Sequence, residues 1–204
     1  MQLAVAQHTD HRGDEILTLV RQAFIAKGFD GASMQDLARA VGMSVGNFYR
    51  YFPSKSAIIT GLIDKDLADI QRDFQAILGS DQPMITLRQV VQMKLAEHGQ
   101  NGDAALWSEI EAAARRSPEI GAAAQAMEAG VSECLLSVFA AETGLSLAEA
   151  TDRFATSAGF ILVLFKAATC LNCGGHVDQS ELRAMIIRTI DQTLDDVANS
   201  VRKA

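Results

Sequence analysis

The chain has 204 residues, of which 49% are apolar and 21% charged, a balance that excludes a disordered or fibrous protein. Its net charge is −7, but residues 1–56 sum to +1 and the remainder to −8. The charge distribution therefore argues against contact between the larger C-terminal part and a polyanion such as DNA, and it leaves the N-terminal part free to approach one.

Few helix breakers interrupt the chain, which has three prolines and long stretches rich in Ala, Leu and Glu. This pattern predicts an all-α protein. Three cysteines are too few for a disulfide scaffold, the N-terminus lacks a signal-peptide pattern, and the longest apolar run is too short to span a bilayer. We therefore expect a cytoplasmic protein with no membrane contact.

The first predicted helix spans about residues 14–27 and ends at Gly28, with residues 1–11 expected to form a disordered tail. A second short helix follows Ser33. Ser33 and Asp36 have the spacing of a capping box. Gly42 ends this helix as a residue that tolerates positive φ, and the small Ala38 lets two helices cross closely above the turn.

A third short helix starts after Ser44, a good N-cap. Val45, Phe48 and Phe52 recur at helical spacing and are predicted to point inward. The opposite face carries a glycine, Gly46, which costs about 1 kcal/mol relative to Ala in a helix interior. Such a glycine makes sense where another surface must come close, and we interpret this segment as a recognition helix.

Polar and aromatic side chains on that face suit a DNA duplex. Gly46 and Asn47 are expected against base edges, and Arg50 against a base or a phosphate. Pro53 stops the helix and Ser54 can cap the next one, whose first turn then carries Lys55 where a helix N-terminus attracts phosphate. The full set of candidate DNA-binding residues is Ser33, Ser44, Gly46, Asn47, Tyr49, Arg50, Tyr51 and Lys55.

These motifs resemble the DNA-binding head of TetR-family transcriptional repressors. The resemblance covers residues 12–63 and rests on the run from Asn47 to Lys55, together with Phe24, Gly28 and Phe29 at the end of the first helix. It implies a homodimer that binds a palindromic operator in double-stranded DNA and is released by a small effector. A three-helix bundle without nucleic acid is the alternative.

The remaining pattern predicts a larger helical body, about nine helices in all. We divide the chain into a DNA-binding domain, 1–56, and a ligand-binding and dimerisation domain, 57–204, joined by a linking helix, 54–78. The further helices are predicted at about 84–98, 104–115, 118–142, 147–171 and 179–200.

The predicted eighth helix, 147–171, is apolar on all sides near residues 158–165. The predicted ninth helix, 179–200, has an apolar seam at heptad-like spacing. This pair suits a four-helix bundle across a two-fold axis. The alternative is that both helices only close the core of one protomer. The predicted dimer-interface residues are Phe165, Leu182, Ile186, Ile190 and Leu194.

An effector pocket is implied by the resemblance, and the apolar body helices favour a lipophilic or aromatic small molecule. For each candidate lining residue, an ordinary core position is the alternative. The candidates are Met93, Trp107, Met127, Phe160 and Leu164.

Other chemistry has little support in the sequence. Cys170 and Cys173 form a CxxC pair, and with Cys134 and His176 they leave a thiol- or metal-sensing regulator as an alternative. Glu97 and His98 are adjacent on a helix and do not share a face. No nucleophile–base pattern or phosphate-binding loop is present, so we expect no enzyme activity, no cofactor and no metal. An all-helical enzyme or binding module that only borrows the head fold is the alternative from another class.

Overall fold

The computed structural model describes the backbone of residues 2–97, 103–169 and 177–200, and the side chains of 12–96, 104–169 and 177–200. Within these ranges the regular structure is entirely helical, as the sequence predicts. The helices are α1 (Gln2–Lys27), α2 (Met34–Ala40), α3 (Val45–Tyr51), α4 (Lys55–Leu78), α5 (Pro83–Glu97), α6 (Asp103–Ala114), α7 (Pro118–Thr143), α8 (Leu147–Thr169) and α9 (Gln179–Asn199).

Local signals set most of these boundaries. Gly28, Gly42 and Gly144 adopt φ between 68° and 73°, each just after a helix, where a left-handed backbone favours glycine. Pro118 occupies the first position of α7, where its missing N–H costs no hydrogen bond. The start of α1 was predicted wrongly: the helix begins at Gln2 rather than near residue 14. The intervening stretch has no proline to stop it.

The first of two compact units comprises residues 1–66 and 105–127. Its core contains side chains from the first four helices, α1, α2, α3 and α4, and also from α6 and the start of α7. The contribution from α6 includes Leu106 and Ile110, which are 2% and 1% exposed. Thus α6 shares a hydrophobic core with the helix-turn-helix, although α3 ends at Tyr51 and α6 begins only at Asp103.

The second compact unit comprises residues 67–104 and 128–204. Here α8 packs along α9, and α5 contacts both of them. Phe139 and Phe154 meet edge to face, with ring centroids 6.1 Å apart. Arg88 of α5 donates hydrogen bonds to the Asp191 carbonyl at 2.9 Å and to Asp195 at 2.5 Å, which ties α5 to α9. The division into a DNA-binding domain, 1–56, and a ligand-binding and dimerisation domain, 57–204, stays a prediction.

The apolar seam predicted on α9 is largely internal to the protomer. Ile190 and Leu194 are each 1% exposed and Ile186 is 9% exposed, because they pack in the core of the second unit. Phe165 and Leu182 are half-buried against the same core. Ile186, Ile190 and Leu194 are therefore removed from the expected dimer interface, because they are already buried within the protomer. The heptad-like spacing on α9 marks the face that packs on its own protomer.

Apolar side chains that do face solvent lie on a different face of the α8–α9 pair. Phe160 and Val163 on α8 are 46% and 63% exposed, and Met185 on α9 is 51% exposed. Among the described residues, none of the single helices has the length and apolarity needed to cross a membrane, and the bent α7–α8 pair meets that test only when taken together.

Candidate nucleic-acid interface

A closed capping box starts α2. The Ser33 hydroxyl oxygen accepts a hydrogen bond from the Asp36 amide, and the Ser33 amide donates one to Asp36 Oδ2 at 3.1 Å. This arrangement confirms the predicted capping box. The Ser33 hydroxyl also donates to Asp36 Oδ2 at 2.5 Å, so its proton is already engaged within the cap.

The turn between α2 and α3 is compact. Gly42 has φ 68°, and the Met43 amide donates to the Ala38 carbonyl at 2.9 Å. Ala38 is fully buried, as expected of a small residue where two helices cross. Ser44 then caps α3 by accepting a hydrogen bond from the Asn47 amide at 3.3 Å. The local sequence signals thus build a helix-turn-helix as predicted.

The two faces of α3 differ sharply. Phe48 is 0% exposed and packs against Phe52, with ring centroids 5.8 Å apart. On the outer face, a side-chain β-carbon added at Gly46 would meet no atom within 4 Å. The other outward residues of this helix are exposed, with Tyr49 at 47% and Tyr51 at 36%; they are Asn47, Tyr49, Arg50 and Tyr51.

Gly46 therefore is not required by packing within the protomer. A glycine that the fold does not need, at a helical position where it costs stability, is consistent with close approach by another molecule. Around it stand amide, guanidinium and phenol groups, which are the donors and acceptors that contact base edges and phosphates. The structure thus assembles six of the eight candidate DNA-binding residues on one short helix and its cap.

Lys55 has partners that the sequence did not indicate. Its ammonium donates to the carbonyls of Phe29, at 2.7 Å, and Ala32, at 2.9 Å, and lies 4.8 Å from the centroid of the Phe29 ring. The group is half-buried and ties the start of α4 to the segment between α1 and α2. The Asp30 carbonyl, at 3.5 Å, is a third and longer partner, so all three N–H donors of the ammonium face carbonyls of this segment.

A carboxylate of α6 holds the same segment from another side. Glu109 Oε2 accepts a hydrogen bond from the Phe29 amide, and Glu109 Oε1 would lie 3.0 Å from a β-carbon placed on Gly28. Sequence reasoning missed Glu109, because a single Glu on a helix 80 residues away carries no pattern that marks its partner.

The charge of Lys27 stabilises the carboxylate of Asp36 in the first turn of α2. The Lys27 ammonium beside Asp36, followed by the Ser33 hydrogen bonds, holds the pKa of that carboxyl well below its usual range. Hydrogen bonding to the charged form is the cause, since the Asp36 side chain lies near the surface.

The predicted effector-lining residues fall in both compact units. Trp107 and Met127 are half-buried against the core of the first unit. In the second unit, Leu164 is half-buried, whereas Phe160 and Met93 are 46% and 48% exposed. Met93 lines a surface groove whose other walls are Asp73, Ala76, Ile77, Thr86, Val90 and Lys94. A shared pocket for the five candidates stays a prediction.

The alternative sensing chemistry concerns residues that the structure only partly describes. Cys170, Cys173, His176 and His98 lie outside the described residues, as does the side chain of Glu97. Burial, followed by the charge of Glu133, raises the pKa of the Cys134 thiol, so this cysteine is disfavoured as a reactive thiolate. The described side chains contain no cluster of three or more His, Cys, Asp or Glu placed to hold a metal ion.

These features define an all-α protein with a helix-turn-helix formed by α2 and α3. Its α3 is capped by Ser44 and exposes a face that carries Gly46 to solvent. Residues 16–62 match the family model of bacterial regulatory proteins of the tetR family. The helix-turn-helix part of the chain is therefore that of a TetR-family transcriptional regulator, as the resemblance over residues 12–63 predicted.

Individual relatives agree with this assignment. The chain is 31% identical over 111 residues to the HTH-type transcriptional regulator UidR of Escherichia coli K12, a match that covers 52% of this chain and 54% of UidR. The other curated relatives are matched over similar or smaller shares, 45% of a Lactococcus lactis regulator and 25% of a Mycolicibacterium smegmatis one. The chain thus spans about half the length, or less, of these relatives, all named as regulators and none as an enzyme.

Solved structures show the same fold over nearly the whole chain. Salmonella enterica GusR has a TM-score of 0.64 at 22% identity, with 94% of this chain and 95% of GusR covered. AibR, solved in complex with isovaleryl coenzyme A and operator DNA, has a TM-score of 0.58 at 14% identity, with 88% of this chain and 97% of AibR covered.

Proposed function

We propose that this protein is a dimeric, ligand-responsive repressor that binds a palindromic operator through α3. The observation that carries the proposal is the solvent-facing surface of α3, where Gly46 leaves open space beside exposed Asn47 and Arg50. Such a surface can enter a major groove, because the glycine lets the helix backbone approach the base edges. The match of residues 16–62 to the tetR family model supports the same function.

The division of roles follows from side-chain chemistry. Asn47 can form paired hydrogen bonds with adenine, and Arg50 with guanine or a phosphate. Tyr49, Tyr51 and Lys55 supply phosphate contacts that set the register. The Ser44 hydroxyl can donate to a further phosphate while its oxygen caps α3, whereas Ser33, also predicted to hold a phosphate, must first release its hydroxyl proton from Asp36. The net charge of +1 over residues 1–56 against −8 over the remainder directs DNA toward the head.

We place the dimer interface on exposed apolar residues of α8 instead of the buried residues of α9. A two-fold interface needs a solvent-facing apolar patch, and Phe160 and Val163, one helical turn apart on α8, provide one. Two heads related by that axis would reach successive major grooves roughly 34–36 Å apart, or a near relation of that spacing. The operator should therefore read as a palindrome.

The effector proposal is a small lipophilic molecule bound by the helical body. AibR carries an acyl coenzyme A together with operator DNA, which supports ligand control in a protein of this fold. The apolar walls of the groove at Met93 favour a compound with an aliphatic or aromatic part. Release of DNA requires that the ligand bind the DNA-free shape more tightly than the DNA-bound shape.

Selection from a pool of random duplex DNA tests the proposal directly. The wild-type chain should enrich a palindromic sequence, with affinity that falls steeply as salt rises because phosphate contacts release counterions. Gly46→Leu should fold and dimerise normally, since the site has room, but should enrich nothing. Equal enrichment by Gly46→Leu would rule out α3 as the recognition helix.

A further inference from the structure

The short segment between α1 and α2, residues 28–33, sets where the helix-turn-helix begins. Gly28 leaves α1 in a left-handed conformation with φ 73°, and the capping box at Ser33 starts α2 only five residues later. Because α2 packs directly on α3, a displacement of this segment would displace the proposed recognition helix. Whatever holds residues 28–33 therefore influences how α3 meets DNA.

Phe29 is held at both of its backbone polar groups by opposite charges. Its N–H donates to the Glu109 carboxylate, and its carbonyl accepts from the Lys55 ammonium at 2.7 Å. Its ring packs on Phe24, with centroids 5.7 Å apart, and lies against the Lys55 ammonium. Hydrogen bonds to charged groups are stronger than neutral ones, so both backbone contacts restrain the segment firmly.

The two charged residues come from different parts of the chain. Lys55 begins α4, which follows the helix-turn-helix directly, whereas Glu109 lies on α6, 80 residues beyond Phe29. Next to Glu109, Leu106 and Ile110 anchor α6 in the core of the same unit. Glu109 is thus a rigidly mounted, partly buried acceptor.

We propose that Glu109 is a positioning residue for DNA recognition: its carboxylate holds the Phe29 amide and thereby sets the placement of α2 and α3. The inference rests on the proposed DNA-binding function. It makes α6 a control element for the head through a direct contact with the α1–α2 segment, because a shift of α6 withdraws or reorients the acceptor. Glu109 itself touches no DNA.

Amide exchange measured by NMR tests the contact without DNA. In Glu109→Ala, the Phe29 amide should exchange about tenfold faster or more, the factor expected from losing a charge-assisted hydrogen bond. Glu109→Gln keeps a carbonyl acceptor and should recover most of the protection. Glu133→Ala removes an exposed carboxylate from α7 and serves as the charge-matched control. Wild-type exchange at Phe29 in Glu109→Ala would overturn the proposal.

Operator affinity tests the positioning role, with the duplex selected by the wild-type chain as the probe. At a temperature where every variant is fully folded, Glu109→Ala should bind about tenfold or more weakly, with Glu109→Gln near wild type. The dependence of affinity on salt should keep its slope, because no phosphate contact is lost. Faster exchange at Phe29 with unchanged affinity would overturn the positioning role alone. A wild-type chain that selects no duplex would overturn the proposed function and this role together.

Gly28 provides an independent variant on the same contact. A β-carbon there would sit 3.0 Å from Glu109 Oε1, whereas one at Gly144, with nearly the same φ, would meet nothing within 4 Å. Gly28→Ala should therefore weaken operator binding, and Gly144→Ala, which carries the same backbone strain, should not. In a chain that already carries Glu109→Ala, the further loss from Gly28→Ala should shrink. Additive losses would show that Gly28 and Glu109 act separately and would overturn the proposal.

Discussion

The ammonium of Lys27, the last residue of α1, lies 2.7 Å from Oδ1 of Asp36 in the first turn of α2. The other oxygen of the same carboxylate closes the capping box on Ser33. One side chain therefore joins two helices and caps one of them. The contact depends on the charge of Asp36, which makes it sensitive to acid.

Acidification should weaken this entry to the helix-turn-helix. The pKa of Asp36 is lowered in the folded state by Lys27 and then Ser33, so its stabilising contribution is complete above the unfolded value of about 3.9 and is lost as pH falls through the lower folded value. Hydrogen bonds also lower the pKa of Glu149, from Ser146, and of Asp178, from Ser180 and the Glu181 amide. Urea unfolding between pH 2 and 7 should show stability falling below about pH 4.

Asp36→Asn should show a shallower loss of stability in that acid range. Lys27→Met should do the same, because it removes the largest cause of the lowered pKa of Asp36. If both variants followed the wild-type pH profile, the Lys27–Asp36 contact would contribute nothing to folding.

Gly46→Ala should change stability and DNA affinity in opposite directions. The added methyl meets no protein atom, so the helix gains up to about 1 kcal/mol of unfolding free energy from the higher helix propensity of Ala. The same methyl obstructs close approach to the base edges. Gly13→Ala, at an equally open position within α1, should stabilise without the loss of affinity. Thermal melts and operator titrations would measure the two effects, and an unchanged affinity in Gly46→Ala would contradict the recognition role.

Lys55→Met should affect both folding and salt dependence. Loss of the hydrogen bonds to the Phe29 and Ala32 carbonyls should lower the unfolding free energy by about 1–3 kcal/mol. If the ammonium exchanges its longest contact, to the Asp30 carbonyl, for a phosphate when DNA binds, the slope of log affinity against log salt should also fall by about one. Arg50→Ala on the exposed face of α3 should reduce the slope without the loss of stability. An unchanged slope in Lys55→Met would assign this lysine to structure alone.

Substitution of the exposed face of α8 should separate the dimer and leave the protomer folded. In Phe160→Glu/Val163→Glu, charges at solvent-facing positions cost little in the protomer but oppose burial across a two-fold axis. Light scattering should report a monomer with wild-type circular dichroism and lost operator binding. Ile190→Glu is the contrasting variant and should unfold the second unit, because that side chain is 1% exposed in the protomer core. A dimer of wild-type mass from the double variant would place the interface elsewhere.

Trp107 should report effector binding, because it is the only tryptophan and lies half-buried on α6. A lipophilic compound that releases operator DNA should change its emission with the same midpoint as release, and operator DNA should weaken that compound by the same factor. Small aromatic and acyl compounds are suitable probes. A compound that releases DNA from Trp107→Phe as from wild type, and leaves wild-type emission unchanged, would remove Trp107 from the pocket.

Local structure was largely predictable from the sequence. Three local signals show this: the side-chain cap at Ser44, the left-handed backbone at Gly42 and the missing N–H of Pro118. Each of them acts within one helical turn, so its effect can be predicted from the neighbouring residues alone. The order of the helices and the identity of the exposed α3 face followed from the same signals. The helix-turn-helix could therefore be predicted residue by residue, although its DNA contacts stay predictions.

Only the tertiary structure decided which apolar faces meet. Heptad-like spacing on α9 marks a buried stripe but does not identify the surface that covers it. In the structure, Ile190 and Leu194 lie in the protomer core, whereas Phe160 of α8 is exposed. In the same way, the hydrogen bond from the Phe29 amide to Glu109 joins residues 80 apart. Periodicity is a property of one helix, whereas a contact depends on how two helices are placed, and that placement is set by the packing of the whole core.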